Sequence, residues 1–216
     1  MEQQNSTNEL LGQFQDSVPD SIHPFLNFLL ENAKLILGIV AAIIIIAAGY
    51  AIMQHSQQKA LDQAASQLGA IMIQYHGADQ IKQLEKFQTE APSEMKNSVD
   101  LALARAYMDA SQFDKAAAAW KDIAAKKDTF SSIAVIGQAK SLILGDKPDE
   151  AISLLQGLQS KTGETYKATI NRLLASAAVM SGNNELAIQA YQALMTDNPT
   201  ERMYYESKVA ELKAKH

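Results

Sequence analysis

Three windows of twenty residues decide the fold: LALARAYMDASQFDKAAAAW (101–120), IGQAKSLILGDKPDEAISLL (136–155) and RLLASAAVMSGNNELAIQAY (172–191). Laid over one another, they share one alanine at Ala104, Ala139 and Ala175 and a second at Ala116, Ala151 and Ala187. A large apolar residue follows four positions later at Trp120, Leu155 and Tyr191. The anchors step by 35 and then 36 residues. Each window reads as two helix-period segments around a polar turn, hence a helical hairpin. Alanines at matching heights let two helix backbones approach closely. Bulky residues at Tyr107, Trp120, Leu142, Leu155 and Tyr191 then fill the space between successive hairpins. One hairpin cannot bury its own apolar face, but a stack of them can.

Working outward, Gly77, Pro92, Ser111, Gly145, Gly163, Gly182 and Pro199 mark helix ends. Asn97, Asp146 and Asn183 are expected N-caps, because their side chains can accept from the first free backbone N–H groups. Between Gly145 and Ala151 the chain has one residue more than between Gly182 and Ala187. That count leaves the register of the first helix of the middle unit open by one position. Sustained period-two alternation is absent, so the expected class is all-α. The period resembles that of the tetratricopeptide repeat, about 34 residues. The expected organisation is a neck helix and degenerate first hairpin over 54–96, TPR-like repeats over 97–130, 131–163 and 164–199, and a charged capping helix over 200–216.

Upstream, Leu35 to Met53 reads LILGIVAAIIIIAAGYAIM without one charge. Nineteen residues at 1.5 Å each give a helix of roughly 28 Å, enough to cross a hydrocarbon core of about 30 Å. In lipid the backbone must satisfy its own hydrogen bonds, which favours a helix despite the β-branched run Ile43 to Ile46. The leader before it carries Glu2, Glu9, Asp16, Asp20 and Glu31 against Lys34 alone. A cleaved signal peptide begins with a short basic region, so an uncleaved anchor is expected. Lys34 and Lys59 flank the span one on each side, and the positive-inside comparison is a tie. Residues 1–20 are expected to be a disordered acidic leader and 21–34 a short interfacial helix beginning near Pro24, its apolar patch lying in the membrane interface or docking on a partner's membrane helix.

The chain is 216 residues long, with 19 Lys+Arg against 24 Asp+Glu and no cysteine. That balance lacks the basic footprint of a nucleic-acid binder. Without cysteine there are no disulfides, thiolate nucleophiles or thiolate metal sites. His23, His55, His76 and His216 share no i,i+4 spacing, and no nucleophile elbow, dinucleotide fingerprint or P-loop is present. The expectation is a non-enzyme with no cofactor, metal, nucleic acid or small-molecule substrate.

In tetratricopeptide stacks the first helices of the hairpins line a groove. Mapped here, that face is Leu101, Arg105 and Met108, then Ile136, Lys140 and Ile143, then Arg172 and Val179. Apolar side chains mixed with isolated cations suit extended or partly folded polypeptide. The alternative is that so short a stack packs this face against its own capping helix. A single span, preceded by Glu31-Asn32-Ala33-Lys34 and followed by His55-Ser56-Gln57-Gln58 and an alanine-rich repeat domain, resembles the YfgM-type ancillary subunit of the bacterial SecYEG translocon. The resemblance implies an inner-membrane protein with a cytoplasmic N-terminus and a periplasmic repeat domain. It also implies partners in SecYEG and a membrane-anchored periplasmic prolyl-isomerase chaperone, and a role in handing exported polypeptides to chaperones. The long acidic leader is a departure from that pattern. A scaffold or assembly factor of another envelope complex is the competing reading.

Overall fold

The computed structural model describes residue 28 and residues 32–126, 129–197 and 199–214. The expected disordered leader and most of the expected interfacial helix lie outside these residues. Nine α-helices and two short 3-10 turns account for the described secondary structure, and no strand occurs among the described residues. The helices are α1 (Ala33–Gln74), α2 (Gly77–Glu90), α3 (Lys96–Asp109), α4 (Phe113–Ala125), α5 (Ser131–Leu144), α6 (Pro148–Thr162), α7 (Lys167–Met180), α8 (Asn184–Asp197) and α9 (Arg202–Ala214). The chain divides into two compact units, residues 1–59 and 60–216.

In the first unit the apolar stretch Leu35 to Met53 belongs to α1. Its side chains are exposed on every face, with Ile45 at 72 % and Ile46 at 70 %. No break separates this stretch from the neck: α1 is one helix of 42 residues.

The second unit begins with the C-terminal part of α1. Ala64 and Ile71 join Ile81, Leu84 and Phe87 of α2 and Val99, Leu103 and Tyr107 of α3 in one buried cluster. α2 stops where Pro92 forbids continuation, since the residue before a proline is pushed out of the helical region. Ala91 is accordingly extended, at φ −65° and ψ 142°.

Three hairpins follow, α3–α4, α5–α6 and α7–α8, joined by turns of one design. Ser111, Asp146 and Gly182 are left-handed, at φ 56°, 59° and 75°. The N–H after each donates to the carbonyl five residues back: Gln112 to Tyr107, Lys147 to Leu142 and Asn183 to Ala178, all at 2.8 Å. Ser111, Asp146 and Gly182 themselves donate to Met108, Ile143 and Val179 at 3.0, 3.2 and 3.3 Å. Those paired bonds are a Schellman motif, which satisfies carbonyls left over at a helix C-terminus.

These turns fix the register. Asp146, not Gly145, is the left-handed residue of the middle turn; Gly145 has φ −87°. Counted from the true turn residue, Ala116, Ala151 and Ala187 all lie five positions on, and the middle hairpin is in step with its neighbours. Asp146 therefore is not an N-cap, and α6 starts after Lys147 without a side-chain cap. Asn97 does not cap either. A 3-10 turn at Ser93–Met95 leads straight into α3, and Asn97 instead accepts from Lys126 Nζ at 2.7 Å. Asn183 does cap α8, its Oδ1 accepting from the Leu186 N–H at 3.1 Å.

The six aligned alanines are all buried. Ala104, Ala116, Ala139, Ala151 and Ala187 are 0 % exposed and Ala175 is 1 % exposed. The second and third hairpins share a core built on Leu142, Leu155, Ile170 and Leu174. α9 closes the stack, with Tyr205, Val209 and Leu212 buried and Leu212 packed with Ala178 and Ala187.

Candidate protein-binding cleft

The eight residues expected to line a groove divide four ways. Leu101, Met108 and Ile136 are half-buried and pack on core clusters rather than standing free. Ile143 is 6 % exposed and belongs to the core between the second and third hairpins, so it does not line a surface. Its neighbour Leu144, at 48 % exposure, and Ile133, at 43 %, are the large apolar residues that this helix presents outward. Arg105 and Lys140 are exposed, and Arg105 Nε stands 3.8 Å from Asp109 Oδ2 one turn on. Arg172 and Val179 alone come together, at a cleft of about 640 Å³ between α7, α8 and α9.

That cleft is built from three directions. α7 supplies Arg172, Ser176 and Val179, each a turn from the next on one helix face, and Met180 beside Val179. α8 supplies Tyr191 and Leu194 from the face that turns toward α9. Tyr204, Tyr205 and Lys208 come from α9, and Glu201 from the 3-10 turn before it. Tyr205 is the pivot. It is 3 % exposed, stacks on Tyr191 with ring centres 5.9 Å apart, and meets Tyr204 edge-on at 5.3 Å. Such offset and edge-to-face arrangements match the positive edge of one ring to the negative face of the next.

Charge in the cleft is internally balanced. Arg172 Nη2 lies 3.0 Å from Glu201 Oε2, and Arg172 Nε donates to the Tyr205 hydroxyl at 3.3 Å. The Tyr205 hydroxyl in turn donates to Glu201. Bonding to Tyr205 and Glu201 raises the Arg172 pKa further above its ordinary value, keeping the guanidinium charged. Burial, then the bond to Glu201, pushes the Tyr205 hydroxyl up, and Tyr191 is raised chiefly by burial. Lys208 Nζ lies 3.3 Å from Glu211 Oε2, which raises its pKa, and 6.0 Å from the centre of the Tyr204 ring.

α9 therefore covers part of the first-helix face, that of the third hairpin, and leaves a cleft where it does so. The sequence reading did not anticipate Tyr191, Leu194, Tyr204, Tyr205 or Lys208 there, because it took α9 for a charged cap. The signal was Met203-Tyr204-Tyr205, a concentrated aromatic patch in a chain only 6 % aromatic.

A second, smaller cleft of about 380 Å³ lies among α2, α3 and α4. Three of its polar groups are bonded across helices. Gln88 donates to Asp100, Lys126 Nζ reaches the other Asp100 oxygen at 2.7 Å, and Tyr107 donates to Glu85 at 2.6 Å. These contacts hold helices together. Among the described residues, no group of three or more His, Asp or Glu side chains is placed to hold a metal ion.

No curated protein and no solved structure gives a significant match. The family model of the tetratricopeptide repeat-like domain matches residues 27–214, which takes in α1 and the whole stack. With hairpins stepping by 35 and 36 residues, left-handed turns in register and the aligned alanines buried, the chain belongs to the tetratricopeptide repeat-like domain family.

Proposed function

We propose that this protein is a non-catalytic adaptor tethered to the bacterial inner membrane by α1, with its repeat stack presented to partner proteins in the periplasm. The carrying observation is one pairing: a repeat-like family whose stacks suggest protein–protein interaction, and an apolar helix that no described residue covers. The most apolar window of α1 has mean hydropathy 2.8 and is 0 % buried. Uncovered apolar side chains on this scale favour lipid as the surrounding medium, because water around them costs roughly 25 cal/mol per Å². Anchoring holds the stack near its partner and raises the effective concentration of that partner toward the millimolar range.

By its resemblance to YfgM-type subunits, the partners are the SecYEG translocon and a membrane-anchored periplasmic prolyl-isomerase chaperone, and the task is the transfer of exported polypeptides to chaperones. The full-length chain, purified from membranes after mild crosslinking, is expected to bring SecY and the isomerase with it. Recovery of another envelope assembly in their place would replace this reading with that of a scaffold for that assembly. Alkaline phosphatase fused after His216 is expected to be active, and an inactive fusion would invert the topology.

A further inference from the structure

We infer that the cleft between α7, α8 and α9 receives an aromatic side chain from an uncharged, extended polypeptide segment. This rests on the adaptor reading and specifies what one part of the stack recognises. Charge supplies the first argument. Arg172 is matched by Glu201 and Lys208 by Glu211. An incoming carboxylate must displace one of those glutamates and remain beside it, while an incoming cation faces Arg172 and Lys208. A neutral segment leaves both pairs intact and incurs neither cost.

Apolar exposure supplies the second argument. Val179, Met180 and Tyr204 line the same cleft and remain 44 %, 47 % and 58 % exposed. Tyr191, Tyr205 and Tyr204 already form a ring series at 5.9 and 5.3 Å, and Tyr204 is its open end. A further ring beside Tyr204 extends the series with the same edge and offset contacts. Met180 adds a polarizable thioether that adapts to a ring edge. The volume, about 640 Å³, lies in the range of ligand pockets and accommodates one ring with its flanking backbone. Ser176 in the wall offers a hydroxyl to a backbone amide or carbonyl.

The test uses the full-length protein in detergent micelles and fluorescein-labelled Gly/Ser peptides that differ at one central residue: Phe, Leu, Glu or Lys. The Phe peptide is expected to bind about threefold to tenfold tighter than the Leu peptide, the size of an aromatic pair contribution. The Glu and Lys peptides should bind more weakly still. Tyr204→Ala should bring Phe down to the Leu level, with a cooperative circular dichroism melt retained. Tyr204→Phe should restore the preference. Equal binding of Phe by wild type and Tyr204→Ala overturns the proposal, as does preference for Glu or Lys, or absence of binding by every peptide. N-acetyl-phenylalaninamide competing as well as the peptide would also overturn it, since that result makes the backbone irrelevant. None of these results touches the adaptor reading, which stands or falls on recovery of SecY and the isomerase.

Discussion

Trp120 of α4 lies flat against Gly137 of α5: a methyl group added at Gly137 would stand 2.6 Å from both Cδ2 and Cε2 of the indole. The contact joins the first hairpin to the second. It explains a glycine in mid-helix, where it otherwise costs roughly 1 kcal/mol relative to alanine. The bulky residue expected to fill the space between hairpins does so only because its neighbour has no side chain.

Gly137→Ala therefore sets helix propensity against overpacking. Propensity favours alanine by about 1 kcal/mol, while forcing a methyl into a packed ring costs about 1–3 kcal/mol and prevails here. The melting temperature should fall by several degrees, and the emission of Trp120, the only tryptophan, should shift as the indole is displaced. Combining Gly137→Ala with Trp120→Leu should cost less than the sum of the two changes, because residues in contact are not additive. Simple additivity would show that the clash is relieved elsewhere.

The left-handed turn residues give opposite expectations at equivalent places. Ser111 and Asp146 hold φ values of 56° and 59° that side chains disfavour. Glycine at either relieves about 1–2 kcal/mol of backbone strain against about 0.4–1 kcal/mol of extra unfolded-chain freedom. Ser111→Gly should be neutral to stabilising by about 1 kcal/mol. Asp146→Gly should gain less, because Asp tolerates this region better than most residues. Gly182→Ala and Gly163→Ala should both destabilise. Gly163, at φ 57° and ψ −145°, should suffer more, since its region is essentially closed to side chains. Urea unfolding of the four variants gives the order directly.

Alanine spacing can be tested on one helix. Ala116 is 0 % exposed and clusters with Leu103, Ala106 and Tyr107 of α3, and Ala118, two residues on, faces solvent. Arginine at 116 must either part the helices or bury an unpaired charge, each beyond what a marginally stable stack tolerates. Ala116→Arg is expected to abolish the cooperative melt, whereas Ala118→Arg should lie within about 0.5 kcal/mol of wild type, as surface changes usually do. Equal behaviour of the two would overturn the assignment of the crossing.

What the sequence made legible followed from what can occupy a close helix crossing. Only small side chains fit there, so the alanines at 104, 116, 139, 151, 175 and 187 repeat visibly. Turn geometry was less legible. A glycine attracts the left-handed assignment, yet at Gly145–Asp146 the aspartate takes it, which left the register open by one residue in the sequence. Polar pairs between helices escaped altogether. Gln88 donates to Asp100, and Gln159 donates to the 2 % exposed Asn171 at 3.0 Å, each across twelve residues. In sequence such residues look like ordinary surface. The cleft escaped for a related reason. Its walls come from three helices, and no spacing along a single helix records which tyrosines converge.

Alkaline pH should expose one of the interhelical bonds. Tyr107 is 8 % exposed and donates to Glu85 at 2.6 Å. Burial first, and then the bond to and charge of Glu85, push its hydroxyl from the ordinary 10.0 up to about 12. The folded state thus holds this proton more tightly than the unfolded chain does. The stabilisation is fully present below pH 10, declines as the unfolded tyrosine ionises, and is lost as pH rises through about 12. The wild-type melting temperature should accordingly drop more steeply between pH 10 and 12 than that of Tyr107→Phe, which has no such proton. Some alkaline loss should persist in the variant, because Tyr191 and Tyr205 are also raised by burial. Parallel pH profiles would mean that Tyr107 ionises in the folded stack as readily as in the unfolded chain, and that the bond to Glu85 contributes nothing to holding α2 against α3.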